Sequence, residues 1–286
     1  KLARNSSGRT KTAKTKKTEE IETPPPVKKS VLDFVTPTEF VELPSSGRFY
    51  DTSHPLHRQE TVEIRFMTAK DEDILTSQTL LRKGVALEKF LQNVLVDKTI
   101  HPASLLIGDR NAILVAARIT GYGPNYETNT PCPACGNKGV FAFNLNDGSI
   151  YAGDDLGDIE VNETDHGTFT TTLPMTKIEA EFRLLTGEDE SLISRKNARR
   201  KKASALETNL TTQMARCIVA LNDDTDKSII NQFVELMPAF DSRHIRNAIK
   251  AVTPNLDLTQ DYHCSECNHE QEMEVPFTTD FFWPSR

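Results

Sequence analysis

Two short cysteine pairs, Cys132-Pro-Ala-Cys135-Gly and Cys264-Ser-Glu-Cys267-Asn, constrain this chain more than any other feature. Each pair sits on a turn and is followed by a strand-like run, Val140-Phe141-Ala142-Phe143 and Glu272-Met273-Glu274-Val275. A Cys-x-x-Cys turn can offer two thiolates to one metal ion, and a closed structural zinc site takes four ligands in a tetrahedron. The first pair has no histidine nearby, since His101 and His166 both lie about thirty residues away along the chain. It therefore needs ligands from elsewhere, and the second pair is the best source. The expected site is one zinc shared by Cys132, Cys135, Cys264 and Cys267. His263 and His269 flank the second pair, so separate sites are one alternative, although cramped. Disulfides are another, although neither pair precedes the helix pattern of a thioredoxin-like redox motif. Cys217 stands apart in a helical apolar run, where a free buried thiol is the ordinary state.

The regions upstream of the two pairs resemble each other. Val62-Glu-Ile-Arg-Phe-Met-Thr-Ala-Lys-Asp-Glu72 aligns with Ala180-Glu-Phe-Arg-Leu-Leu-Thr-Gly-Glu-Asp-Glu190, with Glu, Arg, Thr, Asp and Glu identical in register. Asp109-Arg110-Asn111-Ala112-Ile113 and Asp241-Ser242-Arg243-His244-Ile245 each open a second stretch that runs on to its own cysteine pair. The pattern predicts an α+β fold that is internally duplicated. Each half would run strand, helices, zinc knuckle, strand, and the halves would join at the shared four-cysteine zinc site. The expected boundaries are a basic flexible arm at 1–35, a first half at 36–146, an acidic linker at 147–167 and a second half at 168–286.

Local patterns give the elements. Glu39 to Leu43 alternates as a half-buried strand, and Pro44-Ser45-Ser46-Gly47 marks a turn. Val62 to Met67 reads as a strand, and Thr68 with Asp71 stands in capping-box positions at the start of a helix. That helix carries Ile74, Leu75 and Leu81 and stops near Gly84. A second helix places Leu87, Phe90, Leu91, Val94 and Leu95 on one stripe, and a third runs from Asp109 to about Ile119. In the second half, Ile178 to Leu184 is a strand and Thr186 with Asp189 repeats the capping box. Helical patterns follow through Leu221, then from Ile229 to Leu236, then from Asp241 to about Val252. Leu75 to Asp109 spans 34 positions and Ile193 to Asp241 spans 48, so the second half holds about fourteen more residues. They fall near Arg195 to Lys202, with six basic residues in eight, which reads as a solvated helix face or a contact with an acidic neighbour or nucleic acid.

With 286 residues and 37% hydrophobic content the chain can build two compact cores. It has no apolar run long enough to span a bilayer, so a membrane role is not expected. It starts at Lys1 rather than methionine, which leaves an upstream targeting segment open. Five cysteines, four of them in metal spacing, point to a reducing compartment. The net charge of −7 is uneven: residues 1–30 carry nine Lys/Arg and three Glu, a local +6, leaving −13 for the rest. That tail, ending in Pro24-Pro25-Pro26, is too polar to fold alone, and reads as a solvated disordered arm or as one that orders against an acidic partner or phosphates. Residues 147–165 hold seven acids without the spacing of a calcium loop.

No phosphate loop, nucleophile elbow or His-Glu-x-x-His motif is present. The acids Asp71-Glu72-Asp73 and Glu188-Asp189-Glu190 fit first helical turns, where they complement the helix dipole. A four-cysteine zinc has no open coordination position for water. The expectation is therefore a protein that is not an enzyme.

Leu43-Pro44-Ser45-Ser46-Gly47-Arg48-Phe49-Tyr50 and Phe66-Met67-Thr68-Ala69-Lys70-Asp71-Glu72-Asp73-Ile74-Leu75 carry a further resemblance. So do Ile107-Gly108-Asp109-Arg110, Arg118-Ile119-Thr120-Gly121-Tyr122-Gly123 and the first cysteine pair. In their order and spacing the chain resembles the baseplate hub proteins of contractile-tailed phages of the T-even type, well over Thr36 to Leu145 and more loosely beyond. The resemblance implies a non-enzymatic part of the tail baseplate, either a virion component or an assembly factor absent from the finished particle. It also implies contacts with other baseplate or tail proteins, several copies in an assembly, and passage from the host cytoplasm to the virion tail. The basic tail and the cluster near Arg199 are not attributable to that family. A nucleic-acid-binding zinc-ribbon protein is the reading from another class. The acidic folded part, and the lack of basic and aromatic residues interleaved after the knuckles, speak against it.

Overall fold

The computed structural model describes residues 36–202, 209–275 and 279–282. The arm at 1–35 lies outside the described residues, as do the side chains of 197–202 in the basic cluster. The first half opens with β1 (Thr38–Glu42) and β2 (Thr61–Arg65), paired antiparallel with Val41 opposite Val62. Between them the chain turns tightly at Ser46 and Gly47, both with positive φ. A Cβ on Gly47 would come within 2.3 Å of the Leu56 carbonyl, so only glycine fits there.

Asp71 sets the start of α1 (Ala69–Thr76). Its carboxylate accepts the Thr68 N–H at 2.8 Å and the Thr68 hydroxyl at 2.8 Å, satisfying a donor the helix leaves free. The Arg65 guanidinium grips the same carboxylate with two bonds, at 2.7 and 2.9 Å. The single helix expected up to Gly84 is two, because Ser77 adopts an extended conformation and separates α1 from α2 (Gln78–Lys83). Gly84, left-handed, closes α2 and donates to the Leu80 and Leu81 carbonyls. In α3 (Ala86–Val94) the stripe Phe90, Leu91 and Val94 is fully buried, together with Leu95 beyond it. Each such side chain stabilises the fold by about 1.5–3 kcal/mol relative to exposure. α4 (Ile107–Tyr122) follows, then the hairpin of β3 (Asn125–Pro131) and β4 (Lys138–Asn144).

The acidic stretch after this hairpin contributes short strands. β5 (Ser149–Tyr151) is one, and β6 (Asn162–Glu163) lies against β7 (Phe169–Thr172). β8 (Glu179–Phe182) pairs with β7, and beyond it come α5 (Gly187–Lys202) and α6 (Asn209–Cys217). The helical pattern read through Leu221 stops at Cys217. Residues Ile218–Leu221 instead form β9, which pairs with β8 and completes an antiparallel sheet in the order β6-β7-β8-β9. α7 (Lys227–Leu236), α8 (Ala239–Val252) and β10 (Asn255–Asp257), which pairs with β5, lead to a second hairpin. That hairpin is made of β11 (Thr259–His263) and β12 (Glu270–Glu274). The described residues thus form a mixed α/β fold of eight α-helices and small sheets.

One continuous core runs through both halves, from Ile64, Leu75 and Phe90 to Phe182, Ile230 and Ile245. Two buried acids anchor helix ends within it. Asp109, in the first turn of α4, accepts the Ser45 N–H at 2.9 Å, the Ser45 hydroxyl at 2.6 Å and the Tyr50 hydroxyl at 2.8 Å. Asp241, in the first turn of α8, accepts the Met175 and Thr176 N–H groups at 2.7 and 3.0 Å. The halves meet where Gly187 N–H donates to the Leu105 carbonyl and Ile107 N–H to that of Leu185. Next to this seam Gly108 lets the chain at Pro254 approach, and a Cβ there would lie 2.0 Å from the Pro254 carbonyl oxygen.

Candidate metal centre

Both hairpins end in turns of the same shape. In the first, Cys132 N–H donates to the Asn137 carbonyl at 2.8 Å, and Gly136 N–H donates to the Cys132 carbonyl at 2.8 Å. In the second, Cys264 N–H donates to the His269 carbonyl at 2.9 Å, and Asn268 N–H donates to that of Cys264 at 2.9 Å. Gly136 and Asn268 occupy the matching left-handed position, with φ of 72° and 55°. Glycine takes it without cost, and asparagine is among the side chains that tolerate it. Such a turn curls the backbone around the first cysteine of each pair and brings both sulfurs to the hairpin tip.

The tips face each other. Cys132 Sγ lies 3.7 Å from Cys267 Sγ, and Cys135 Sγ lies 3.9 Å from Cys264 Sγ. All four sulfurs lie within 4.8 Å of one another. A tetrahedron with metal–sulfur bonds of 2.3 Å has sulfur–sulfur edges of about 3.8 Å, so the four thiols have the spacing of a four-sulfur metal shell. Cross-hairpin sulfurs this far apart are not bonded to each other, and all five thiols are free. The flanking histidines turn elsewhere: His263 faces Glu270 at 3.8 Å and His269 faces Gln271 at 3.2 Å. Among the described residues the donor group consists of the four cysteines.

The surroundings favour charge on Cys132 and disfavour it on Cys267. N–H groups of Cys135 and Ala134 aim at Cys132 and hold its thiol low, at about 6. The His269 N–H likewise favours the Cys267 thiolate, yet burial and the three neighbouring sulfurs together push that thiol up to about 12. Four thiolates at this spacing repel one another, and a divalent cation at the centre removes that repulsion. Beneath the sulfurs sits a small apolar floor. The Phe141 and Tyr262 rings lie 4.1 Å apart, and both border the buried Cys132 and Cys264. The Tyr262 hydroxyl is buried beside Cys132, and desolvation followed by that sulfur raises it to about 12. Tyr262 carried no sequence signal beyond standing two residues before a ligand-type cysteine.

Among the described residues one serine–histidine contact is that of Ser104 with His54, whose Nε2 lies 2.8 Å from the Ser104 hydroxyl. His54 Nδ1 accepts the Leu56 N–H, so Nε2 carries the proton and donates. The Ser104 hydroxyl in turn donates to the His101 carbonyl. That direction leaves no lone pair on His54 to activate Ser104.

Fold and site define a mixed α/β protein in which two hairpins bring together four thiols able to hold a metal ion. A family model described as "T4 bacteriophage base plate protein" matches residues 36–283, and the chain belongs to that family. It is thus a baseplate protein of a bacteriophage. Membership points to a structural component that contacts other phage tail proteins in the virion tail. No curated protein and no solved structure matches the chain. No helix among the described residues is long and apolar enough to cross a membrane.

Proposed function

We propose that this chain is a structural component of the baseplate hub of a contractile-tailed phage, working by protein–protein contact rather than catalysis. Membership of the baseplate family carries the reading. The chain would be present in several copies, assembled in the host cytoplasm and retained in the tail, with proteins rather than nucleic acid as partners. Its basic segment at 1–30, with a local charge of +6, suits acidic surfaces of neighbouring subunits.

Cys132, Cys135, Cys264 and Cys267 would hold one structural zinc ion. When bound, the ion supplies a fixed cross-link between the hairpins and adds its binding free energy to folding. The thiols complete its shell from both halves, while Phe141 and Tyr262 close off the buried side. We also propose that the halves descend from one duplicated unit. Arg183 and Asp189 support this, because they repeat the bonds of Arg65 and Asp71 at 2.7 and 2.9 Å, with Thr186 in the place of Thr68. A third group joins each carboxylate, Asn93 in the first half and Arg216 in the second. Each stands two residues before the one that pairs with the preceding strand, Leu95 with Ile64 and Ile218 with Phe182.

An infection with phage lacking this chain tests the function. Tail parts that fail to form a complete hub are the expected result, restored by supplying the chain. Complete, functional baseplates in its absence would overturn the reading.

A further inference from the structure

The junction of α7 and α8 departs furthest from an ordinary surface. α7 buries Ile230 and Val234 in the core. Its apolar stripe is wider than the core covers, because Ile229, Phe233 and Leu236 follow at i, i+4 and i+7 on the adjoining face. Of these, Ile229 is 46% exposed and Leu236 is 83% exposed. Phe240, at the start of α8, is 60% exposed. Met175, 63% exposed, is tied to the same place, since its N–H donates to Asp241. Scattered exposed apolar side chains are ordinary, whereas Leu236, Phe240 and Met175 together at one helix junction mark a contact surface.

The exposed face of α8 beside them is basic. On α8, Ile245, Ala248 and Val252 face the core, and the opposite face carries Arg243, Arg246 and Lys250, all exposed. Among the described residues none of the three has a carboxylate within 4.0 Å. Of the nearby acids, Asp241 is buried and taken up by the Met175 and Thr176 N–H groups, Asp257 interacts with Lys250, and Glu235 is turned about 100° around α7 from Leu236. In a chain whose residues beyond the basic tail sum to −13, this ridge is a local reversal.

We propose that this junction is a docking face for a neighbouring tail protein that presents apolar side chains flanked by Asp or Glu. Leu236, Phe240 and Met175 would enter the apolar part, and Arg243 and Arg246 would meet the carboxylates. Phosphates of a nucleic acid would match the arginines but leave the apolar side chains of the junction in water. The proposal rests on the reading of the chain as a baseplate component.

The test places a photo-crosslinking amino acid at Phe240 of the full chain. Baseplates and assembly intermediates are then purified from infected cells, and the cross-linked peptides are sequenced. The expected peptide comes from a different tail protein and carries apolar residues with an Asp or Glu within about one helical turn. Joint substitution Arg243→Glu and Arg246→Glu lowers incorporation about tenfold, at unchanged melting temperature, while Lys at both positions retains most of it. A cross-link to a second copy of the chain or to nucleic acid overturns the docking face and leaves the functional reading intact. So does normal incorporation of the double Glu variant. Absence of the chain from baseplates and intermediates overturns both.

Discussion

Arg118 Nε donates to the Phe281 carbonyl at 2.6 Å, joining residues 163 positions apart. The guanidinium also donates to the Gly123 and Asn125 carbonyls, at 2.8 and 3.2 Å, and Arg118 is almost wholly buried. The bond holds Phe281 against Tyr126 and Phe282 against Phe90, so the last described residues pack into the common core beside residues from early in the chain. Replacing Arg118 by methionine removes the donor it gives to three carbonyls, at about 1–3 kcal/mol for each one that neither water nor another donor reaches. Arg118→Met should therefore lower stability by about 3 kcal/mol or more in denaturant unfolding. Arg118→Lys should recover only part, because a single ammonium cannot span the three acceptors. A change below about 0.5 kcal/mol for the methionine variant would show that Phe281 and Phe282 are not anchored there.

Removing the metal is the second measurement. Metal analysis of the purified chain should give one zinc ion per chain. A chelator should release it and lower the melting temperature, since the folded arrangement of four thiols would hold the ion more tightly than either pair in the unfolded chain. Cys135→Ser or Cys267→Ser should each abolish stoichiometric binding. Two ions per chain, or full binding by either variant, would contradict a single shared shell.

Asp71 and Asp109 should respond to acid in opposite senses. Burial works against the Asp71 carboxylate, but the Arg65 fork with the Thr68 hydroxyl and N–H outweighs it and holds the group below the ordinary carboxylate range. A depressed folded value contributes stability above the unfolded pKa of about 3.9 and loses it as pH falls through the folded value. For Asp109, burial prevails over the bonds from Ser45 and Tyr50 and raises the group. Its contribution therefore runs the other way, favouring the fold as it takes up a proton on acidification. Asp71→Asn should cost about 3 kcal/mol at neutral pH and flatten the loss of stability below about pH 4. Asp109→Asn should cost less at neutral pH and leave that acid limb in place. Unfolding curves between pH 3 and 7 would decide, and indistinguishable pH profiles for the two variants would count against the assignment.

Gly108→Ala tests the seam between the halves. The added methyl would meet the Pro254 carbonyl oxygen at 2.0 Å, and neither backbone can yield without moving β10 off α4. Overpacking of this kind costs about 1–3 kcal/mol. Gly84→Ala, where a Cβ would meet nothing within 4 Å, provides a contrast in which only the left-handed backbone is strained, at about 1 kcal/mol. Equal effects from the two substitutions would argue that the close approach at Gly108 carries no weight.

Much of the site was legible in the sequence because its rules are local. Cys-x-x-Cys spacing, the Thr-x-x-Asp starts at Thr68 and Thr186 and the stripe on α3 all act within one or two turns of chain. What escaped was non-local. Ile218-Val219-Ala220-Leu221 continues the apolar pattern of α6, and such a run does not distinguish helix from strand; the edge offered by β8 makes it β9. The roles of Asp109 and Arg118 depend on partners 64 and 163 residues away, which no periodicity records. Ser77 breaks its helix without the Gly or Pro that would have marked the place.

The pairs that close the sulfur cluster lie 129 and 135 residues apart in the chain, and this imposes an order in time. At a synthesis rate of about 5–20 residues per second, roughly 6 to 27 seconds pass between the emergence of the first pair and that of the second. During that interval Cys132 and Cys135 have only each other, and any cation they meet is held by half a shell. Completion of the cluster is therefore a late event in the birth of each molecule. It divides chains whose second half has folded back onto the first from those still waiting for it.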